Sequence, residues 1–153
     1  MAKIERSVII NRPIEKVFPF VIDINNFPKW FPWMVESGKT SSPPYEVGTT
    51  EYEIVYRFYL FIKVKNVSTV SEYQPNKKIS RNIKSPHFIP WSTTYNFESL
   101  EGGTRLTYIL KWEPKGFLKL LTPIFALIFT IFDQTIPLLN LKNFLESGCN
   151  NSS

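Results

Sequence analysis

The side chains in this sequence best equipped to engage a ligand are tyrosines. Tyr52, Tyr56, Tyr95 and Tyr108 fall in the apolar phase of short alternating segments. A phenol so placed packs its ring and offers a hydroxyl to a ligand carbonyl or hydroxyl. The alternative is an ordinary core tyrosine bonded to backbone or water. Arg81, between Ile79 and Ile83, points inward in that phase and is the catalytic candidate. A buried guanidinium can orient an enolate or carboxylate. Its alternative is a strand-edge arginine in solvent, and a single bulge would reverse the phase. His87, the only histidine, follows Pro86 in a turn and reads as a surface residue, because no carboxylate is placed to orient it. Cys149 sits in a polar tail without a cysteine–histidine signature. Paired carboxylates are expected to be absent from the inward phases. Gly102-Gly103 is a hairpin and not a phosphate loop, and the reading calls for no metal and no cofactor.

Residues that could act on a ligand need elements to hold them. Residues 4–10 read as a first strand, broken by Asn11-Arg12-Pro13. Pro13 suits the first turn of a helix, and Ile14, Val17, Phe18, Val21 and Ile22 recur at helical spacing. A second short helical segment, broken by prolines, covers Phe27 to Trp33. Trp30 and Trp33 in it either plug one end of the sheet or gate a cavity mouth. The period then changes to two. A strand begins near Val35, and Pro43-Pro44 and Gly48 mark a loop. From Thr49, Tyr52, Ile54, Tyr56 and Phe58 alternate with Glu51, Glu53 and Arg57, so the aromatic side is expected to face inward. Strands follow at 62–73, 78–84 and 91–98, the last with Trp91, Thr93, Tyr95 and Phe97 on one face. Glu101-Gly102-Gly103 turns the chain into a final strand whose face carries Leu106, Tyr108, Leu110 and Trp112. Short strands joined by tight turns imply an antiparallel meander.

Everything from Phe117 to about Ser147 reads as one long helix, strained at Pro123 and Pro137. At 100° per residue, Leu120, Ile124, Leu127, Ile131, Leu138, Leu141 and Leu145 form a stripe expected to face the sheet. Leu121, Phe125, Ile128, Phe129 and Phe132 form a second stripe, about a quarter turn or more away. A surface helix needs one apolar face. The second stripe is therefore core around a deep cavity, or a homodimer or peripheral membrane contact. The apolar run falls short of the ~18 residues a span needs, and Lys119 and Pro123 interrupt it.

A sheet with one apolar face needs a cover, and the terminal helix is the element long enough to supply it. The expected fold is α+β: a curved antiparallel sheet wrapped around a long C-terminal helix, with two short helices after the first strand. Residues 1–147 make one domain and 148–153 a frayed tail. With 153 residues, 43% of them hydrophobic and 16% aromatic, the chain can bury a full core. One cysteine rules out an internal disulfide. The opening Met1-Ala2-Lys3-Ile4-Glu5-Arg6 lacks the apolar core of a signal peptide, so the expected location is cytoplasmic. The net charge of +5 comes partly from lysines between Lys63 and Lys84, which blunt strand edges or meet an anionic membrane. No nucleic-acid motif accompanies them.

Four stretches resemble a known superfamily, in the right order and spacing. They are Ile4 to Phe18; the aromatic run Asn26-Phe27-Pro28-Lys29-Trp30-Phe31-Pro32-Trp33; Val67 to Lys78; and Gly102-Gly103-Thr104-Arg105-Leu106-Thr107 with Glu113-Pro114-Lys115-Gly116. Together they are similar to the START and birch-pollen-allergen-like superfamily (SRPBCC), nearest its polyketide cyclase/dehydratase-like branch. The resemblance implies a helix-grip fold with a hydrophobic cavity, and no single activity, since its members include lipid carriers, cyclases and receptors. One departure is that Phe117–Phe132 carries only Lys119 as a charge where the family's helix is charge-rich. The expected function is binding or transport of a hydrophobic small molecule, a lipid, polyketide or other aromatic. The alternatives are a cyclase/dehydratase-type enzyme and a peripheral membrane or protein-partner module. The expected lining is Tyr52, Ile54, Tyr56, Phe58, Trp91, Thr93, Tyr95, Phe97, Leu106, Tyr108 and Leu110 from the sheet, with Leu120, Ile124, Leu127 and Ile131 from the helix.

Overall fold

The computed structural model describes residues 2–42, 44–57, 62–86 and 88–147, the side chain of Arg57 excepted. Phe58, His87, Cys149 and the tail expected to fray therefore lie outside the described residues.

The chain runs β1 (Ala2–Ile10), α1 (Ile14–Ile22), a 3₁₀ turn (Ile24–Lys29), β2 (Met34–Lys39), β3 (Thr50–Arg57), β4 (Ile62–Gln74), β5 (Lys78–Lys84), β6 (Trp91–Leu100) and β7 (Gly103–Trp112). A helical C-terminal segment closes it: a 3₁₀ turn (Gly116–Leu121), α2 (Thr122–Phe129), a π turn (Thr130–Thr135) and α3 (Ile136–Ser147). All strand pairs are antiparallel, in the order β1-β7-β6-β5-β4-β3-β2. This is the α+β helix-grip architecture: a meander whose first strand pairs with its last, gripping the terminal helix.

The core follows from which phase each strand buries. Thr93, Tyr95 and Phe97 on β6 and Leu106, Tyr108, Leu110 and Trp112 on β7 are buried, and Trp91 is half-buried. The register places Tyr95 opposite Tyr108 and Phe97 opposite Leu106, so one face of the sheet collects them. Ile14, Val17, Phe18, Val21 and Ile22 bury the inner face of α1 as their spacing predicts. The Asp23 carboxylate accepts from Asn25 N at 3.0 Å and caps the next turn. That turn delivers Phe27, Trp30 and Phe31 into the core.

Strand β3 reverses the expected phase. Glu51, Glu53 and Val55 are buried, while Tyr52 and Ile54 are half-buried and Tyr56 is exposed. Tyr52, Ile54 and Tyr56 are therefore not interior residues. Their face is the outer one, where aromatic rings serve as platforms for charge. Lys65 Nζ lies 5.3 Å from the Tyr52 ring and Lys63 Nζ 5.7 Å from the Tyr56 ring. Tyr52 Oη donates to Glu36 Oε1 at 2.6 Å.

The helix reverses the expectation again, over its first half. Leu120, Ile124, Leu127 and Ile131, assigned to the sheet by periodicity, are exposed, whereas Leu138 and Leu141 from the same stripe are buried. The cause is the π turn. The N–H of Ile136 donates to Ile131 O, five residues back, which inserts one residue and rotates the two halves by about 100° relative to each other. Pro137 explains its position: proline cannot donate to the carbonyl four residues earlier, and its ring crowds that carbonyl, so the helix widens just before it. The second stripe becomes the inner one. Phe129 packs edge-on against Trp112 at 5.4 Å and Phe132 against Trp33 at 5.7 Å. Leu121, Phe125, Ile128 and Phe132 are half-buried, in line with the core alternative for this stripe.

Candidate functional site

The inverted phase of β3 places two carboxylates on the concave face of the sheet, contrary to the expectation that such pairs would be absent. Arg81 on β5 reaches Glu51 with two hydrogen bonds: Nε donates to Oε2 at 2.6 Å and Nη2 to Oε1 at 3.0 Å. Nη2 also donates to Ile22 O at 2.7 Å, tying the pair to the end of α1. Arg81 is 2% exposed and Glu51 1%, so Arg81 faces inward as its phase predicts, and the strand-edge alternative is excluded. Burial opposes the charge on Arg81, but the Glu51 carboxylate more than offsets that and holds the guanidinium above its ordinary pKa. Ser68 Oγ donates to Glu51 Oε2 at 3.1 Å. Tyr45, in the loop before β3, lies beside the pair and accepts from Ile24 N at 3.1 Å. Burial, with the Glu51 charge next, raises its pKa.

One register step further along β3 and β4, Asn66 Nδ2 donates to Glu53 Oε1 at 2.9 Å. An aromatic path then connects this polar corner to the helix. The Arg81 guanidinium lies 5.3 Å from the Phe27 ring. Phe27 meets Trp30 edge-on at 5.2 Å, Trp30 meets Tyr95 at 6.2 Å, and Tyr95 stacks on Tyr108 at 4.6 Å. Burial raises the pKa of both phenols, so at neutral pH they are hydrogen-bonding groups and not bases. Gln134, buried in the π turn, donates from Nε2 to Tyr108 O at 3.1 Å and Ile4 O at 3.2 Å. The π turn thus has a job: it aims an amide at the strand pair β1–β7.

Four side-chain atoms along this path are buried and have no hydrogen-bond partner among the described residues: Arg81 Nη1, Asn66 Oδ1, Trp30 Nε1 and Gln134 Oε1. Buried polar groups are nearly always bonded, and each exception calls for a reason. Two donors and two acceptors lie along an aromatic wall, an arrangement that can orient an apolar molecule bearing oxygen or nitrogen functions. Glu51 is committed to Arg81, and the tyrosines stay protonated at neutral pH, so their hydroxyls are hydrogen-bond donors and not bases. Among the described residues no three His, Cys, Asp or Glu side chains are grouped as a metal site requires.

The expected site residues thus divide. Arg81, Thr93, Tyr95, Phe97, Leu106, Tyr108 and Leu110 face the interior, with Trp91 at its edge. Trp30 is 1% exposed and forms inner wall, not a gate over a mouth. Trp33 is half-buried against Phe132. Tyr52, Ile54, Tyr56, Leu120, Ile124, Leu127 and Ile131 lie on outer faces. Glu51, Glu53, Asn66, Tyr45 and Gln134 were missed. The signal for three of them was in β4, where Lys63 and Lys65 mark the outer phase. Asn66 and Ser68 then fall on the inner one, opposite Glu53 and Glu51. An open depression of about 660 Å³ lies elsewhere, where β7 leads into the helix, lined by Ala2, Glu113, Pro114, Lys115, Gly116, Lys119 and Thr122.

Residues 1–129 match the family described as polyketide cyclase / dehydrase and lipid transport. The chain belongs to this family. Three solved structures share the family's fold with it. One is the protein TTHA0849 from Thermus thermophilus, at 17% identity and a TM-score of 0.75 over 99% of this chain and 100% of that one. Another is a START superfamily protein from Mycobacterium smegmatis, at 15% identity and 0.73 over 99% of each chain. The third is the ZhuI aromatase/cyclase from Streptomyces sp. R1128, at 12% identity and 0.73 over 95% of this chain and 93% of that one. Among curated proteins none matches in sequence. At these identities the structural likeness bears on fold, and the family spans hydrophobic-ligand binding and polyketide cyclisation.

Proposed function

We propose that this family member binds a hydrophobic small molecule carrying carbonyl or hydroxyl oxygens, held between the concave sheet and the terminal helix. The observation that supports this most is the set of unpartnered buried atoms, Arg81 Nη1, Trp30 Nε1, Asn66 Oδ1 and Gln134 Oε1, strung along an aromatic wall. Leaving a buried polar group unsatisfied costs about 1–3 kcal/mol, and a ligand that bonds to them recovers part of it on binding. The ligand is neutral or weakly polar in this reading, because the Arg81 charge is already balanced by Glu51. Carriage suits the set better than catalysis, since Arg81 is paired with Glu51 and the tyrosines, protonated at neutral pH, supply no general base.

Native mass spectrometry of freshly purified protein tests the reading. An apolar, oxygen-bearing molecule is expected to co-purify and to be lost on unfolding. Asn66→Leu and Gln134→Leu are expected to weaken rebinding of the extracted molecule by about tenfold each, the loss of roughly one hydrogen bond to a buried group. Protein that comes out free of ligand, and binds none from a panel of lipids and aromatic polyketides, would contradict the reading. A cyclase would instead convert such a polyketide, with Arg81→Lys losing turnover while binding persists.

A further inference from the structure

We propose that the chain docks peripherally on anionic lipid bilayers through the outer stripe of its C-terminal helix. Phe117, Leu120, Ile124, Leu127 and Ile131 are 72%, 83%, 56%, 62% and 40% exposed. At 100° per residue Ile124, Leu127 and Ile131 fall within about a quarter of the circumference, and Phe117 and Leu120, three apart in the 3₁₀ turn, share one exposed face before them. No charged residue occurs between Leu120 and Phe132. Exposed apolar strips of this kind mark interaction surfaces. Contrary to the expectation that its apolar run is too short, Gly116–Ser147 is long and apolar enough to cross a membrane by length and composition, with a mean hydropathy of 1.7 in its most apolar stretch. Its inner face is nevertheless committed to the sheet, through Gln134 to Tyr108 O and Ile4 O, and through Asn140 Nδ2 to Trp30 O at 3.3 Å. The helix can therefore lie in a bilayer surface without leaving the fold.

Charge identifies the occupant. Lys115 and Lys119 flank the start of the strip and are exposed. Glu113, also exposed, adds one negative charge beside them, so the start of the strip is net positive. An apolar strip flanked by Lys115 and Lys119 complements a surface that is apolar below and negative above. A second copy does not supply that complement. A two-fold interface is self-complementary, so each strip would meet another carrying the same excess of Lys115 and Lys119 over Glu113. The proposal does not rest on the ligand reading, because docking requires no ligand.

Co-sedimentation with vesicles tests it. The protein is expected to pellet with vesicles of phosphatidylcholine and phosphatidylserine in equal parts, to bind phosphatidylcholine alone far less, and to lose binding as salt rises. Leu120→Ser/Leu127→Ser should reduce partitioning at least tenfold. Lys115→Ala/Lys119→Ala should reduce it by about fivefold per lysine near the anionic surface. Both variants change exposed residues, and circular dichroism should match the wild type. Wild-type protein that ignores anionic vesicles overturns the proposal, as does undiminished binding by folded Leu120→Ser/Leu127→Ser. A dimer in light scattering that this variant dissolves would assign the strip to a second copy and overturn it equally.

Discussion

Arg81 and Glu51, thirty positions apart in sequence, form a doubly hydrogen-bonded ion pair with essentially no solvent exposure. The pair joins β3 and β5 across the intervening β4, and through Ile22 O it also holds the end of α1. Removing one partner strands a charge in the core. Arg81→Met alone, or Glu51→Leu alone, is expected to cost about 3–5 kcal/mol, whereas the double variant should cost much less than the sum. Urea unfolding of the four proteins measures the coupling. Additive losses would mean that the pair is not a unit.

The rotated helix makes a contrasting pair of stability predictions. Phe129, which packs on Trp112, should lose about 2–4 kcal/mol on replacement by alanine. Leu127, two positions earlier and 62% exposed, should change by no more than about 0.5 kcal/mol. Thermal unfolding of the two variants decides which stripe is core. The opposite order would restore the regular-helix phase and remove the π turn.

Gln134 anchors that turn. Replacing it with leucine leaves Tyr108 O and Ile4 O without their donor, at an expected cost of about 1–3 kcal/mol. Hydrogen exchange should show the loss locally, as faster exchange in α2 and α3 than in β5 and β6. Uniform acceleration across the sheet would count against an anchoring role.

Alkaline pH should unfold the protein by way of its buried phenols. Burial raises the pKa values of Tyr95 and Tyr108 above the ordinary 10.0, as it does for Tyr45. Between that value and the folded one, the folded state holds protons that the unfolded chain has released. The stabilisation is therefore complete below pH 10 and declines as pH rises, by up to about 1.4 kcal/mol per pH unit for each phenol. Melting temperatures from about pH 8 to about pH 11 should fall along such a slope, and Tyr95→Phe/Tyr108→Phe should flatten it. An unchanged slope in that variant would place the alkaline sensitivity elsewhere.

Local patterning was enough for much of the fold. Tyr95 and Phe97 alternate with polar neighbours, Leu106 and Tyr108 do the same across a Gly-Gly hairpin, and Val17 and Phe18 recur at helical spacing. In each case the residue's own polarity agrees with the face it occupies, so the sequence by itself determined the antiparallel meander, the short helix and the inward phase of β5 to β7. Tertiary structure decided the rest. Glu51 and Glu53 point inward against their polarity because Arg81, two strands away, needs a carboxylate and because pairing aligns them with Ser68 and Asn66; no window on β3 alone contains that partner. Leu127 and Leu138 share a stripe at 100° per residue, yet one is exposed and the other buried. The inserted residue before Pro137 turns the two halves of the helix apart, and a periodicity that assumes one continuous helix averages over that turn.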